Sequence, residues 1–209
     1  KTQANRRRFV EKWGGQQDAP TQPVKAVEQE VVKVTTEKHD PYREVGMAVV
    51  SRPRALNIGC GDRPRAAEDV RWVNLDQSER VGVDVVRDIR RGLPFEDESF
   101  DHVLMDNVLE HLVSEDAIFV LNEIGRVLRP GGTAEIIVPH ANSQGAHQDP
   151  THRSYWVPRS VIYWNQSMAA YGGCFVGITA NLMPVGEPEV YGDMNTEAFI
   201  RFKVRKDPL

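Results

Sequence analysis

The sequence predicts an α/β fold, with a mostly parallel sheet and helices on both of its faces. From Pro53 onward, short apolar runs alternate with segments of helical periodicity, as is typical of a parallel sheet covered by helices. The first run ends abruptly in a Gly-x-Gly turn, and an acidic residue ends the second. Two further strand-like runs end the chain with a Pro/Gly/Asn-rich loop between them. This pattern favours an antiparallel hairpin at the sheet edge.

The strands are rich in β-branched and other apolar residues, and Gly, Pro, Asn or Asp residues mark their ends. They are predicted at 55–58, 71–75, 81–86, 100–105 and 133–138, then at 175–183 and 198–204. Before the fifth strand, residues 116–128 repeat apolar side chains at three- and four-residue steps. This spacing predicts an amphipathic helix. Arg129-Pro130-Gly131-Gly132 follows it and predicts a helix end and a turn.

The composition indicates a globular protein with one ordinary domain. The 209 residues are 40% hydrophobic and 27% charged, as is typical of globular proteins. The net charge of −4 disfavours nucleic acid as a partner, although it does not exclude a local basic face. The two cysteines, Cys60 and Cys174, give no disulfide framework and fit a reducing compartment. We find no signal peptide and no apolar run of about 18 residues. We therefore expect a cytoplasmic protein that does not span a membrane.

Residues 1–40 differ from the rest of the chain. A basic arm at 1–13, with Arg6, Arg7 and Arg8, precedes a Gly-, Pro- and Gln-rich stretch at 14–23 that is typical of a linker. The pattern at 24–38 does not decide between strand and helix. We predict that 1–40 is an N-terminal extension or linker and that 41–209 is the main domain. The arm is either a solvated tail or a segment that docks on, or joins, a neighbouring domain.

The Gly-x-Gly turn lies in the segment Leu56–Gly61. Glycines let a backbone turn approach a ligand because no Cβ intervenes. Asp76 lies 17 residues after Gly59, at the end of the second predicted strand. A carboxylate there can accept hydrogen bonds from a ribose diol, as in nucleotide-binding β-α-β units. The alternative is that Asp76 is only a turn residue.

Four sequence blocks resemble those of class I S-adenosylmethionine-dependent methyltransferases of the family known as type 11. They are Leu56–Gly61, Leu93–Val103, Val108–Leu112 and Glu123–Gly132, in the family's order and spacing. The resemblance implies a Rossmann-like, seven-stranded sheet with five parallel strands and a C-terminal β-hairpin. It also implies methyl transfer from S-adenosylmethionine.

The resemblance implies cofactor-binding roles at the carboxyl ends of the strands. The nine residues are Asn57, Gly59, Cys60, Gly61, Asp76, Gln77, Asp88, Ile89 and Asp106. The glycines would meet the amino-acid end of the cofactor beside a helix N-terminus, and Asp76, with Gln77 next to it, would hold the ribose. Asp88 would accept from the adenine amine while Ile89 packs on the ring. Asp106 would meet the methionyl ammonium.

The sequence departs from the family pattern at two places near the turn. Asn57 stands where the family usually has an acid, so a charge that would face the ammonium is absent. Arg63 and Pro64 follow the glycines, where a dinucleotide-binding G-x-G-x-x-G needs glycine at the second of these positions. Pro64 therefore argues against a dinucleotide site.

The segment 139–156 is the predicted acceptor side. It holds His140, His147, Asp149 and His152, and loops at this edge of α/β proteins carry binding and catalysis. One role is general base, with His147 or His152 taking a hydroxyl proton while Asp149 orients the ring. Metal binding by these four residues and a purely structural lid are the alternatives. Our catalytic candidates are His147, His152 and Asp149, together with His111, which would line the site where the methyl group is transferred. We assign no metal ligand.

Aromatic residues recur after this loop, at Tyr155, Trp156, Tyr163, Trp164 and Tyr171. They either pack in the core, with 160–171 as a helix, or form a wall for a sugar or ring substrate. We expect S-adenosylmethionine as the cofactor and a small-molecule or saccharide acceptor, methylated at oxygen. A nucleic-acid or protein methyltransferase is one alternative. A non-catalytic cofactor-binding domain of a larger glycan-modifying protein is the other, since the arm 6–14 is similar to the end of bacterial glycosyltransferase domains.

Overall fold

The computed structural model describes residues 52–165 and 177–207, which belong to one compact unit. The strands are β1 (Arg54–Ile58), β2 (Arg71–Asp76), β3 (Val85–Val86), β4 (Phe100–Asp106), β5 (Leu128–Pro139), β6 (Leu182–Pro184), β7 (Glu189–Gly192) and β8 (Ala198–Lys206). The α-helices in this part of the chain are α1 (Ser114–Val127) and α2 (Gly145–Gln148). Short 3₁₀ turns span Ile89–Arg91, Leu109–His111 and Pro158–Tyr163. The predictions for 1–40 and for 166–176, which includes Cys174, fall outside the described residues.

The strands form one mixed sheet in the order β3-β2-β1-β4-β5-β8-β6, and β7 also pairs with β8. Strands β1 to β5 are mutually parallel, whereas β8 is antiparallel to β5, β6 and β7. The predicted α/β class, the mostly parallel Rossmann-like sheet and the antiparallel C-terminal strands are thus confirmed. Because parallel strands end at a common edge, the residues that follow β1, β2, β4 and β5 lie along one rim of the sheet.

Helix α1 packs one apolar face on the sheet. Its buried residues recur at helical spacing and are Ala117, Val120, Leu121, Ile124, Gly125 and Val127. The acids of its first turn, Glu115 and Asp116, suit the positive end of the helix dipole. In the last turn, Arg126 pairs with Glu123 at 2.8 Å and donates to the carbonyl oxygen of Phe95 at 2.7 Å. The helix is therefore held to the sheet by burial and to the β3–β4 connection by the hydrogen bond from Arg126 to Phe95.

Three predicted strands have different bounds in the structure; of the run predicted at 175–183, the described residues form a strand only at Leu182–Pro184. The third is only Val85–Val86, and Val81 is 95% exposed because Gly82 turns the chain with a φ of +85°. The fifth begins at Leu128, so the predicted turn Arg129–Gly132 lies inside β5. The pairing of β4 with β5 is irregular between Phe100 and His102, and this irregularity accommodates the glycines. Strand β7 was not predicted.

The Gly-x-Gly turn is followed by a loop rather than by the expected helix. Residues 61–70 contain no helix, and β2 begins at Arg71. The amino-acid end of a cofactor would therefore not meet a helix N-terminus here. None of the helices in the described ranges has the length and apolarity that crossing a bilayer requires.

Candidate functional site

The two glycines of the turn after β1 have different roles. The amides of Gly59 and Cys60 donate to the carbonyl oxygen of Leu75 at 2.7 and 3.1 Å. Both glycines have positive φ, +68° at Gly59 and +49° at Gly61, a region that L side chains rarely adopt. A Cβ on Gly59 would collide with the side chain of Val108, whereas a Cβ on Gly61 would meet no atom within 4 Å. Gly59 is therefore a packing glycine, and Gly61 borders open space.

Asp76, at the end of β2, holds the glycine turn. Its Oδ2 accepts from the amide of Gly61 at 2.9 Å and its Oδ1 from the amide of Ser78 at 2.8 Å. A carboxylate offers about four lone-pair sites. Two of these remain for a ligand at the rim, so the carboxylate can both fix the turn and accept from hydroxyls. Gln77, next to it, is exposed.

A hydrogen-bond network of side-chain amides holds the loop after the glycine turn, where a helix was expected. The Nδ2 of buried Asn57 donates to the Oδ1 of Asn74 at 3.1 Å and to the carbonyl oxygen of Arg63 at 3.3 Å. The Asn74 amide pairs with the backbone of Arg65, accepting at 2.7 Å and donating at 3.1 Å. Asp84 accepts from the backbone N–H of Asn74 at 2.7 Å. Asn57 thus anchors the loop, which gives a structural reason for an amide at this position.

The other cofactor-binding candidates are placed at the same edge but are partly engaged. Asp88 begins a 3₁₀ turn and pairs with Arg90 at 2.8 Å; hydrogen bonds from the Arg90 side chain lower the pKa of Asp88. Ile89 is buried. Asp106 ends β4, and its Oδ1 accepts from the side chain of Asn107 at 3.0 Å. An adenine amine would therefore share the Asp88 carboxylate with Arg90.

The histidine-containing loop after β5 docks on the turn after β4. The amides of Arg153 and Ser154 donate to the carbonyl oxygen of Glu110 at 2.7 and 3.0 Å. The hydroxyl of Ser154 donates to the carbonyl oxygen of Leu109 at 3.1 Å. These bonds bring two segments about 40 residues apart in the chain against each other.

His111 is oriented by a hydrogen-bonded chain. Its Nδ1 lies 3.0 Å from the Oγ1 of Thr151, and that hydroxyl donates to Asp149 at 2.7 Å. The carboxylate accepts only, so the hydroxyl gives its proton to Asp149 and accepts from Nδ1–H, leaving the lone pair of His111 on Nε2. Burial, with help from neighbouring His152, lowers the pKa of His111. The hydrogen bonds from Thr151 lower the pKa of Asp149.

The remaining histidines of the loop have separate environments. The Nδ1 of His152 donates to the carbonyl oxygen of Ala146 at 2.9 Å, and its Nε2 lies 3.8 Å from Asp149. The Nε2 of His147 donates to the carbonyl oxygen of Ala141 at 2.8 Å, and its ring stacks on Tyr155 at 4.8 Å. His140 is buried, and its Nδ1 accepts from the amide of Asn142 at 3.1 Å.

Glu110 is a functional candidate that sequence reasoning missed. It is 2% exposed, and neither carboxylate oxygen has a hydrogen-bond partner in the part of the chain that the structure describes. Burial raises its pKa to about 8. The signal in the sequence was an acidic residue in a short segment flanked by Leu109 and Leu112, whose apolar side chains indicate burial. A buried acid normally has a partner or a function.

Three of these side chains converge. The donor atoms of Glu110, His111 and His152 lie within 4.8 Å of one another, and the rings of the two histidines are 4.8 Å apart. Of the four residues weighed for a metal from sequence, this cluster contains only His152. Among the described residues, His140, His147 and Asp149 do not join a group of potential metal ligands.

The aromatic residues divide between core and surface. Trp164 is 2% exposed and packs on Trp156 and Phe202, with ring centroids 5.8 and 4.8 Å apart. Tyr155 and Tyr163 are exposed. Trp164 is therefore a core residue and Trp156 packs partly buried against the core. The tyrosines supply the exposed aromatic surface beside the loop. The prediction for Tyr171 falls outside the described residues.

Comparison with known proteins gives a family match for the central part of the chain. Residues 56–136 match the family model described as a methyltransferase domain. This segment includes the glycine turn, Asp76, β4 and α1. A search of curated proteins gave no match.

Three similar solved structures have the same fold. The 1,6-didemethyltoxoflavin-N1-methyltransferase of Burkholderia thailandensis, solved with 1,6-didemethyltoxoflavin and S-adenosylhomocysteine, is 16% identical over 75% of this chain and 72% of its own, with a TM-score of 0.52. N-methyltransferase NodS of Bradyrhizobium japonicum, solved with S-adenosylhomocysteine, is 17% identical over 75% and 79%, with a TM-score of 0.51. The [4+2]-cyclase SpnF is 15% identical over 74% and 75%, also with a TM-score of 0.51. At these identities the likeness shows a shared fold.

Proposed function

Because residues 56–136 match the methyltransferase-domain family model, we propose that the chain transfers a methyl group from S-adenosylmethionine to a hydroxyl of a small-molecule or saccharide acceptor. The observation that carries the proposal is the pairing of the glycine turn with Asp76 at the strand ends. The carboxylate fixes the turn at Gly61 and keeps lone pairs for a ribose, and Gly61 borders open space.

The residues at this rim fit an adenosyl donor. Asp76 would accept from the ribose hydroxyls, and Gly59, Cys60 and Gly61 would lie along the amino-acid end. Asp88 and Ile89 remain our candidates for the adenine, and Asp106 for the ammonium. The donor supplies an electrophilic methyl on a sulfonium, so the protein mainly has to align the acceptor with it.

The acceptor side is proposed at the histidine-containing loop. A hydroxyl loses its proton as its oxygen bonds to carbon, and a positioned base accelerates this. His147 fits the role because its ring is held by Ala141 and Tyr155 through Nε2–H and stacking, which leaves the lone pair on Nδ1. His152 is the second candidate base, beside Asp149.

The structural relatives define the main alternative. Two of them are N-methyltransferases by name, and an amine acceptor would need less help from a base. A third is a cyclase, which illustrates that one fold hosts different chemistry.

We also propose that 1–40 is an extension that docks on or joins a neighbouring domain, and that the protein is cytoplasmic.

The donor site is tested by titrating S-adenosylhomocysteine in a calorimeter. Asp76→Ala should weaken binding about 100-fold, since two charge-assisted hydrogen bonds are lost. Asp76→Asn keeps an acceptor for the Gly61 amide and separates turn distortion from ribose binding; we expect a loss of about tenfold. Glu68→Gln, at an exposed acid of the same loop, is the matched control. Near-normal affinity in Asp76→Ala would show that the donor binds elsewhere.

The acceptor side is tested by screening alcohols, saccharides and amines for methylation and then comparing variants. His147→Ala should lower kcat about 100-fold and leave the affinity for S-adenosylhomocysteine unchanged. The loss should shrink as pH rises, because hydroxide from the solvent can take the proton in place of His147. Unchanged turnover in both His147→Ala and His152→Ala would exclude these two histidines as the base, and a preference for amines would move the reaction to nitrogen.

A further inference from the structure

The strongest unexplained feature is the buried carboxylate of Glu110. It has no hydrogen-bond partner among the described residues although it is 2% exposed. A buried polar group without a partner costs free energy, and a native protein normally gives it one. The side chains that converge on Glu110 are two histidines, so a partner that binds carboxylate and imidazole together would remove the cost.

The hydrogen bonds of both histidines prepare them as ligands. The Nδ1–H of His111 points to Thr151, and the Nδ1–H of His152 points to the carbonyl oxygen of Ala146. Each ring is thereby fixed in the tautomer that carries its lone pair on Nε2. Metal-ligating histidines in proteins show this arrangement, with the other ring nitrogen donating to a backbone carbonyl or a polar side chain.

We propose that Glu110, His111 and His152 form a binding site for one divalent transition-metal ion, with zinc as the best-suited ion. Two imidazoles and one carboxylate are a common donor set for such ions and leave coordination positions open. The donors lie within 4.8 Å of one another, whereas ligands at about 2.0–2.2 Å from zinc lie closer together than that. Small side-chain rotations of the three residues close the difference.

The position of the cluster gives the ion a role. The histidine-containing loop and the turn after β4 meet at this point through Arg153 and Ser154, at the rim where we place the acceptor. A bound ion would ligate an oxygen of the acceptor and favour its ionised form. This part of the inference rests on the proposed function and narrows the acceptor to molecules with a metal-binding oxygen.

Metal binding is tested on the full chain after removal of metals with a chelator. Calorimetric titration with zinc chloride should give one ion per chain at this site, and cobalt(II) should give the visible absorption of a protein-bound ion with nitrogen ligands. Bound zinc should raise Tm. His152→Ala and Glu110→Gln should each weaken binding more than about 100-fold, since even changes behind the ligands cost 10–100-fold.

Further variants keep the test decisive. Thr151→Ala leaves all three proposed ligands in place but removes the hydroxyl that orients His111 and bonds to Asp149, and it should weaken zinc binding about tenfold. His102→Asn removes a histidine on β4 that bonds to Thr133 outside the cluster, and it should bind zinc like the unmodified chain. Circular dichroism of each metal-free variant separates loss of ligation from loss of folding, and His111→Ala replaces any variant that does not fold.

The outcomes separate this inference from the proposed function. If zinc does not bind, or binds equally well to His152→Ala and Glu110→Gln, the site is wrong. S-adenosylhomocysteine is titrated separately into the metal-free chain. A chain that binds zinc at the cluster but not S-adenosylhomocysteine would retain the metal site and lose the proposed donor site.

Discussion

The glycine turn and the histidine-containing loop lie at the same rim of the sheet but are held in different ways. The turn and the loop behind it are fixed by satisfied polar groups, in which Asn57, Asn74 and Asp76 bond to neighbouring backbone. The histidine-containing loop lies over a carboxylate, that of Glu110, without such partners. In the first region, these polar side chains all have hydrogen-bond partners within the chain. The second contains a buried group for which, among the described residues, the chain supplies no partner.

The largest effect should come from Gly59→Ala. A Cβ there would collide with Val108 and would sit at a φ of +68°, so we expect a loss of about 2–5 kcal/mol in the free energy of unfolding. Urea denaturation measures it. Gly61→Ala, at positive φ but in open space, should cost only about 1–2 kcal/mol. Adding Val108→Ala should recover part of the Gly59→Ala loss, and a lack of recovery would contradict the packing role.

A smaller effect should come from the amide network. Asn74→Ala leaves the buried amide of Asn57 and the backbone of Arg65 without partners, so we expect a loss of about 2–4 kcal/mol. Ser154→Ala removes one hydroxyl from the histidine-containing loop and should cost about 1 kcal/mol. Asn195→Ala, in an exposed turn, should stay within about 0.5 kcal/mol. Equal losses in the first two variants would mean that the regions are equally dependent on polar bonds.

The smallest effect should come from Arg90→Ala. The pair with Asp88 is partly exposed, so its loss should cost no more than about 0.5 kcal/mol at pH 7. The pKa of Asp88 is lowered in the folded chain, so its contribution is present above the pKa of the unfolded chain and is lost as pH falls through the folded pKa. The difference between the two proteins should vanish in acid. Urea denaturation at neutral and acid pH checks this, and a difference that persists in acid would point to packing.

The sheet was predictable because its signals are local. Apolar runs that end in glycine or acid marked β1, β2 and β4, and the helical spacing of 116–128 marked α1. The strand bounds near Gly82 and Gly131 were wrong because turn geometry and the irregular pairing of β4 with β5 overrode local pattern. The helix expected after the turn was wrong because side-chain amides satisfy that backbone instead.

The candidate site was only partly predictable. The sequence placed Asp76 at the end of a strand and the histidine-containing loop after another, and the structure has both at one rim. Their roles stay predictions. The sequence did not locate Glu110 as a site residue, because its contact with the loop depends on backbone bonds to Arg153 and Ser154. Contacts between distant segments are set by the folded topology, and no spacing along the chain records them.

The contact of Gly59 with Val108 has a consequence for communication across the rim. With no room between them, a shift of the bend after β1 pushes the segment that carries Glu110, two residues beyond Val108. If an occupant of one segment changes the affinity for an occupant of the other, thermodynamic reciprocity requires that the change be the same factor in both directions.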